Sequence, residues 1–313
     1  GIHRLQASTH LNLGSTSALL AQADAKRAAE AEDRELARRD REREQFGRDS
    51  DRRRSRDPEP TFREPTESIP VPEDGAFGSY YALVIGINDY EVLPKLKTAV
   101  RDAQAVADVL RNDYGFTVQL LTDVGRGKIV RAFSKLRRLL KKSDNLLVYY
   151  AGHGWLDPDS NEGYWLPVDA SRDDEVEWVS NATLSTALKA IQANSVMVVA
   201  DSCYSGSLTR GLSIQIRTPD YFRKMHAKRA RVVMTSGGME PVEDGGGGKH
   251  SIFAKYFLGA LRDNTGILDG GGLFSKIKRP IMLNSPQEPH FGDIRLTGHD
   301  GGDFLFVKAT KSD

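Results

Sequence analysis

What most restricts the folding of this chain is a rhythm that starts near residue 80, in which short runs of nearly unbroken apolar residues alternate with stretches of helical periodicity. The runs at 81–86, 118–121, 146–150, 196–200 and 232–234 are dominated by Val, Leu, Ile, Met, Ala and Tyr. They have no polar side to offer to water, so as strands they must be covered on both faces. Between them, 99–110 places Val100, Ala103, Val106 and Leu110 on one helical face, and 130–140 and 184–191 behave likewise. Strands alternating with amphipathic helices specify an α/β domain with a mostly parallel sheet and helices on both faces. In such sheets the functional groups gather at the carboxyl ends of the strands.

The chain ahead of this rhythm is of another kind. Residues 24–57 are mostly Ala, Glu, Asp and Arg, with too few apolar positions for a heptad seam, and Pro58, Pro60, Pro65, Pro70 and Pro72 follow. Residues 1–74 therefore read as a charged helical or disordered arm with a Pro-rich linker, and 75–313 as the folded domain. The 44 basic and 43 acidic residues leave a net charge of +1, which gives no reason to expect nucleic acid as a partner. No apolar run reaches the roughly 18 residues of a membrane span. One cysteine in 313 residues excludes an internal disulfide framework and a thiolate zinc site, and suits a reducing, cytoplasmic compartment. The first residue is Gly1, which leaves a leader removed upstream open. Two segments break the rhythm and read as loops: 205–229, with Arg210, Arg217, Arg223, Lys224, Lys228 and Arg229 but no clear apolar period, and the Gly-rich 240–249.

Two of the apolar strands run straight into reactive groups. The strand at 146–150 leads into Ala151-Gly152-His153-Gly154, and that at 196–200 into Asp201-Ser202-Cys203-Tyr204-Ser205-Gly206. A thiol is weakly ionised at neutral pH; an imidazole beside it can take its proton and later protonate a leaving amine. The amides of Gly154 and Cys203 could then receive an oxyanion. A lone Cys or a Gly-flanked His means little, but together at two strand ends they make a dyad. His226 and His250 in the loop regions, and His290 and His299 in the Gly-rich C-terminal stretch, are poorer candidates.

The two motifs, Tyr149-Tyr150-Ala151-Gly152-His153-Gly154 and Asp201-Ser202-Cys203-Tyr204-Ser205-Gly206, resemble those of the caspase-like clan. Within it they resemble bacterial orthocaspases and metacaspases rather than animal caspases, which carry Gln-Ala-Cys at the second motif. The resemblance covers roughly 80–307, with His and Cys 50 positions apart, in keeping with the caspase order and spacing. It implies a caspase-hemoglobinase-like, six-stranded sheet and a cysteine endopeptidase acting on proteins or peptides after Arg or Lys. Asp201 and Asp102 would form the acidic walls of the pocket for that cation, which a carboxylate suits. Without the resemblance, Asp102 reads as a helix-surface aspartate and Asp201 as a cap. No organic cofactor or metal is expected. Many metacaspases bind calcium through an adjacent aspartate pair where this chain has Ser180-Asn181, and Asp173-Asp174-Glu175 is the acidic run that would otherwise supply oxygens. Such an enzyme would have its own basic segments within reach, with Arg217, Lys224 and Arg229 as sites of self-cleavage. The alternative is an interaction module in which catalysis is dispensable. The oligomeric state is left open.

Overall fold

The computed structural model describes residues 77–172, 174–202, 218–237 and 248–309. The first apolar run forms β1 (Tyr80–Gly86), and a loop leads to α1 (Ala99–Tyr114), β2 (Thr117–Thr122), α2 (Arg126–Leu139) and β3 (Asn145–Ala151). A small antiparallel group follows: β4 (Gly154–Asp157), β5 (Glu162–Trp165) and β6 (Val179–Ser180). Next come α3 (Asn181–Ala190), β7 (Ser195–Asp201), α4 (Pro219–Ala227) and β8 (Ala230–Thr235). The described chain then runs through α5 (Ile252–Asp263), β9 (Ile267–Asp269), α6 (Gly270–Asn284), β10 (His290–Asp293) and β11 (Leu305–Val307).

The main sheet has six strands in the order β10-β8-β7-β3-β1-β2, with β10 antiparallel to β8 and every other pairing parallel. This is the architecture expected from the sequence. β3 and β7 lie at the middle and are buried along their whole lengths. Side chains alternate between faces along a strand. Leu147, Tyr149, Met197 and Val199 accordingly pack in one cluster with residues of α1 and α5, while Leu146, Val148, Tyr150, Val196 and Val198 pack in another with residues of α2 and α3.

Two features of the sheet position a site. The chain leaves β1 toward β2 on one side and returns to β3 on the other, which makes the carboxyl ends of β1 and β3 a topological switch point. The β3–β7 register pairs Ala151 with Asp201. His153 and Cys203 are each two positions past one of those partners.

The expected loop at 205–229 is corrected in its described part. Residues 219–227 form α4, with Thr218 as N-cap accepting from the Tyr221 amide at 3.1 Å and Pro219 in the first turn. Only Phe222 of this helix is buried, so it has no apolar stripe to betray it. His290, assigned to a Gly-rich tail, begins β10. α1 runs four residues past Leu110 to Gly115, whose left-handed φ of 68° closes the helix. Among the described residues, no helix is long and apolar enough to cross a membrane.

Candidate active site

His153 lies just beyond β3, half-buried, and is held by residues of the loop after β1. That loop is tied down by the Ile87 amide on the Ala151 carbonyl at 3.0 Å and by the Asn88 and Asp89 amides on Asp123 Oδ1 at 2.7 and 2.9 Å. It delivers Tyr90, whose hydroxyl accepts the His153 amide at 2.6 Å and whose ring lies 4.6 Å from the imidazole, centroid to centroid. The Tyr150 hydroxyl donates to the His153 carbonyl at 2.7 Å. Gly152 is required by this packing: a Cβ there would stand 2.7 Å from both tyrosine hydroxyls.

The same loop sets the tautomer. His153 Nε2 is 2.8 Å from the Pro94 carbonyl oxygen, which can only accept. A neutral ring therefore carries its proton on Nε2 and presents Nδ1 as a free base. Gly154 follows as the first residue of β4. The Leu166 amide donates to the His153 carbonyl at 3.0 Å, which makes 153·166 a hydrogen-bonded pair; by the antiparallel alternation, 154·165 is a non-hydrogen-bonded one. The Gly154 N–H thus points away from β5.

Asp201 and Asp102, read from the sequence as neighbours in one pocket, are brought together. Asp102 is buried in the first turn of α1 with 0% exposure, so it is not the helix-surface aspartate that its periodicity allows. Asp201, at the end of β7, is 4% exposed. Ser251 bridges them: its hydroxyl donates to Asp201 Oδ2 at 2.5 Å and its amide to Asp102 Oδ2 at 3.1 Å. The Ser251 hydroxyl also accepts from the Ala254 amide at 2.9 Å, capping α5 and aiming that helix's positive end at the two acids. On the other side His250 Nδ1 meets Asp102 Oδ1 at 2.5 Å. Asp201 Oδ1 is buried without a hydrogen-bond partner.

This arrangement disfavours two negative charges. Burial, only partly offset by the Ser251 hydrogen bond and reinforced by the Asp102 charge, pushes the Asp201 carboxyl up to about 7. Burial also raises Asp102, against the opposing pull of His250 and Ser251. Tyr149, interior and close to both acids, is held well above the ordinary phenol range by burial first and by their charges second. A cation between the carboxylates would relieve all three.

Cys203 and Arg217 lie outside the described residues. Lys224 is exposed on α4, and Arg229 precedes β8, half-buried, with Nη2 3.3 Å from the Ile191 carbonyl. Two of the weaker histidines are structural: His299 Nδ1 accepts the Arg231 amide at 3.1 Å, and the His226 ring meets Phe77 edge-on at 5.0 Å.

The family model of the caspase domain, peptidase C14, matches residues 79–292. The chain belongs to that family. Among its relatives, metacaspase-1A of Aspergillus oryzae is 29% identical over 153 residues, 42% of this chain and 35% of the relative. Metacaspase-1 of Saccharomyces cerevisiae is 28% identical over 154 residues, 42% of this chain and 34% of the relative. The matched stretch thus spans about a third of the length of these curated relatives. A crystal structure of caspase-1 from Spodoptera frugiperda superposes with a TM-score of 0.55 at 15% identity, covering 78% of this chain and 98% of that one, and shows the common fold.

Ser180 and Asn181, where the resemblance would place an acidic pair, are among the described residues. Ser180 caps α3, its hydroxyl accepting from the Thr183 amide at 3.1 Å, and Asn181 is buried in the first turn. Both are neutral, and Ser180 is committed to the helix end, whereas calcium needs about 6–8 oxygens with several carboxylates among them. Asp174 Oδ1 accepts from the Val176 amide at 3.2 Å, and Asp173 lies outside the described residues.

Proposed function

We propose that this chain is a cysteine endopeptidase that hydrolyses peptide bonds after Arg or Lys. The observation that carries the reading is the paired carboxylates: Asp102 and Asp201 buried side by side at the carboxyl edge of the sheet, one strand from a histidine whose free nitrogen is Nδ1. Two raised carboxyls disfavour the empty pocket, and a guanidinium or ammonium restores their charge balance. A substrate Asp side chain would instead meet like charge.

In this reading the Cys203 thiol gives its proton to His153 Nδ1 as its sulfur attacks the scissile carbonyl carbon. The Gly154 and Cys203 amides receive the oxyanion. Collapse breaks the C–N bond, the departing amine takes the proton from Nδ1, and a thioester remains. His153 then removes a proton from water, the hydroxide displaces the thiolate, and the proton returns to sulfur, leaving a carboxylic acid and the starting enzyme. No metal enters any step. The resemblance of the Asp-Ser-Cys motif to metacaspases rather than to animal caspases supports the same preference.

Self-processing belongs to the same proposal, with Arg217, Lys224 and Arg229 as candidate sites. Lys224 and Arg229 sit in or beside regular structure, so cutting there requires local unfolding, and Arg217 is favoured. A fluorogenic peptide panel that varies only the residue before the cut tests the function, run with the wild type and with Cys203→Ala. Cleavage after Arg and Lys that vanishes in the variant is expected. Equal rates after Arg and Asp would overturn the pocket, and activity surviving in Cys203→Ala would overturn the nucleophile.

A further inference from the structure

His250 draws attention because its place in the pocket has no counterpart in the sequence motifs. It lies 148 positions from Asp102, yet its Nδ1 meets Oδ1 of that carboxylate at 2.5 Å. The other oxygen of Asp102 is taken by the Ser251 amide, and one oxygen of Asp201 by the Ser251 hydroxyl. Of the four carboxylate oxygens in the pocket, only Asp201 Oδ1 is without a partner. His250 therefore makes, from within the chain, the contact that an incoming basic side chain has to make. With Asp102 ionised, Nδ1–H is the donor, as a guanidinium N–H would be.

The surroundings favour an exchangeable occupant over a fixed structural bond. The His250 side chain keeps 25% of its surface exposed, while Asp102 keeps 1%. The imidazole can leave for water; the carboxylate cannot. The residues before it, Gly248 and Lys249, are exposed, and the chain there is fastened by Arg101 Nη1 on the Lys249 carbonyl at 3.0 Å. Among the described residues, the charged groups that these contacts bring near the imidazole are Asp102 and Arg101 on α1, Lys249 beside it in the chain and, beyond Ser251, Asp201 on β7. Removing the imidazole from an empty pocket would strand a buried carboxylate oxygen; a substrate cation removes it and supplies the replacement donor in the same event.

We infer that His250 is a specificity-determining residue that fills the cation position of the pocket until an Arg or Lys side chain displaces it from Asp102. The inference rests on the proposed preference for basic residues. Its consequence is selective: the work of displacing His250 is compensated only by a ligand that brings a strong donor to Asp102. Neutral side chains find the position taken, so the residue raises discrimination at the cost of affinity for the correct substrate.

The test uses benzamidine, a small guanidinium-like cation, and needs no turnover. The full-length Cys203→Ala protein is titrated with benzamidine while the His250 ring nitrogens are followed by 15N NMR, and the affinity is measured by calorimetry. The downfield Nδ1–H signal of a carboxylate-bonded imidazole is expected to disappear as benzamidine saturates. In parallel, His250→Ala and His250→Gln are placed in the active protein, with thermal melts to establish folding. His250→Ala is expected to lower KM for Arg and Lys peptides by on the order of tenfold with kcat unchanged, the scale of one hydrogen bond to a charged group. It should also narrow the preference over a neutral residue before the cut. His250→Gln, which keeps a neutral donor, should stay within about threefold of wild type. A raised or unchanged KM in His250→Ala, a Gln variant as permissive as Ala, or an imidazole signal indifferent to benzamidine would each overturn the inference. If the wild type prefers Arg or Lys peptides but bound benzamidine leaves the His250 signal unchanged, the inference fails while the functional reading stands. If the wild type shows no preference for Arg or Lys peptides, both fall.

Discussion

Tyr90→Phe removes a single hydroxyl from beneath His153 and keeps the ring. The His153 amide then loses its 2.6 Å partner, and an unmet amide in a half-buried turn costs about 1–3 kcal/mol. A fall of about tenfold in kcat with little change in KM is expected from steady-state kinetics, since substrate binding is not touched. Cys203→Ala and His153→Ala should each cost nearly as much as the double variant, because the two act as one unit; rates that multiply in the double variant would contradict the dyad. Asp201 carries a pH signature. Its carboxyl ionises near about 7 in the folded protein, against about 3.9 for an unfolded chain. The native state therefore binds the proton more tightly, and the stability it contributes is complete below about pH 4 and is lost as pH rises through about 7. Wild-type melting temperature should fall more between pH 5 and pH 8 than that of Asp201→Asn, and Asp201→Asn should also lose cleavage after basic residues. At this scale the sequence singled out His153, Cys203, Asp201 and Asp102 as candidates, because each lies in a local motif or answers to one; the structure brings Asp102 and Asp201 together, and Cys203 lies outside the described residues. The roles of Tyr90, Pro94, Ser251 and His250 were hidden, because they exist only in contacts 50 to 149 positions apart, as Ser251 to Asp201 and to Asp102 show.

Elements whose function is to fill the core were legible, and those that merely border the site were not. β1, β3 and β7 announce themselves because both faces are covered, and α1 because it presents an apolar stripe. α4 buries only Phe222, and β10 has four residues, so neither offers a period long enough to read. α4 nevertheless has a consequence for self-processing. Thr218 caps it and Pro219 is its first residue, so α4 begins two residues after Arg217, which itself lies outside the described residues. Incubated wild-type protein is expected to yield a fragment ending at Arg217 before any ending at Lys224 or Arg229, read by mass spectrometry, with none from Cys203→Ala. Early cleavage at Lys224 would mean that the helix opens readily. Thr218→Ala, which removes a cap worth about 1 kcal/mol, should shift some cutting into the helix.

For the molecule as a whole, residues 24–57 are mostly Ala, Glu, Asp and Arg, too poor in apolar side chains to add to a core, and five prolines follow them before residue 74. A protein of residues 75–313 should therefore melt within a few degrees of the full chain, and a loss of more than about ten degrees by calorimetry would assign the preceding residues a share of the core. Activity is expected to persist in chelator, since Ser180 is already committed to capping α3 and Asn181 is buried at its start; complete loss that calcium restores would redirect attention to the 173–175 run. Ser251 links these scales, because one side chain starts α5, restrains Asp201 and, through its amide, restrains Asp102. An evolving lineage could not easily alter what this pocket accepts by single steps. Exchanging Asp102 for an apolar residue strands His250 and the Ser251 amide, exchanging Ser251 frays a helix, and exchanging Asp201 for an apolar residue leaves the Ser251 hydroxyl without its acceptor. Routes that remove one of these partners alone pass through a less stable intermediate, so the proposed preference for a basic residue should be among the slowest-changing properties of the fold.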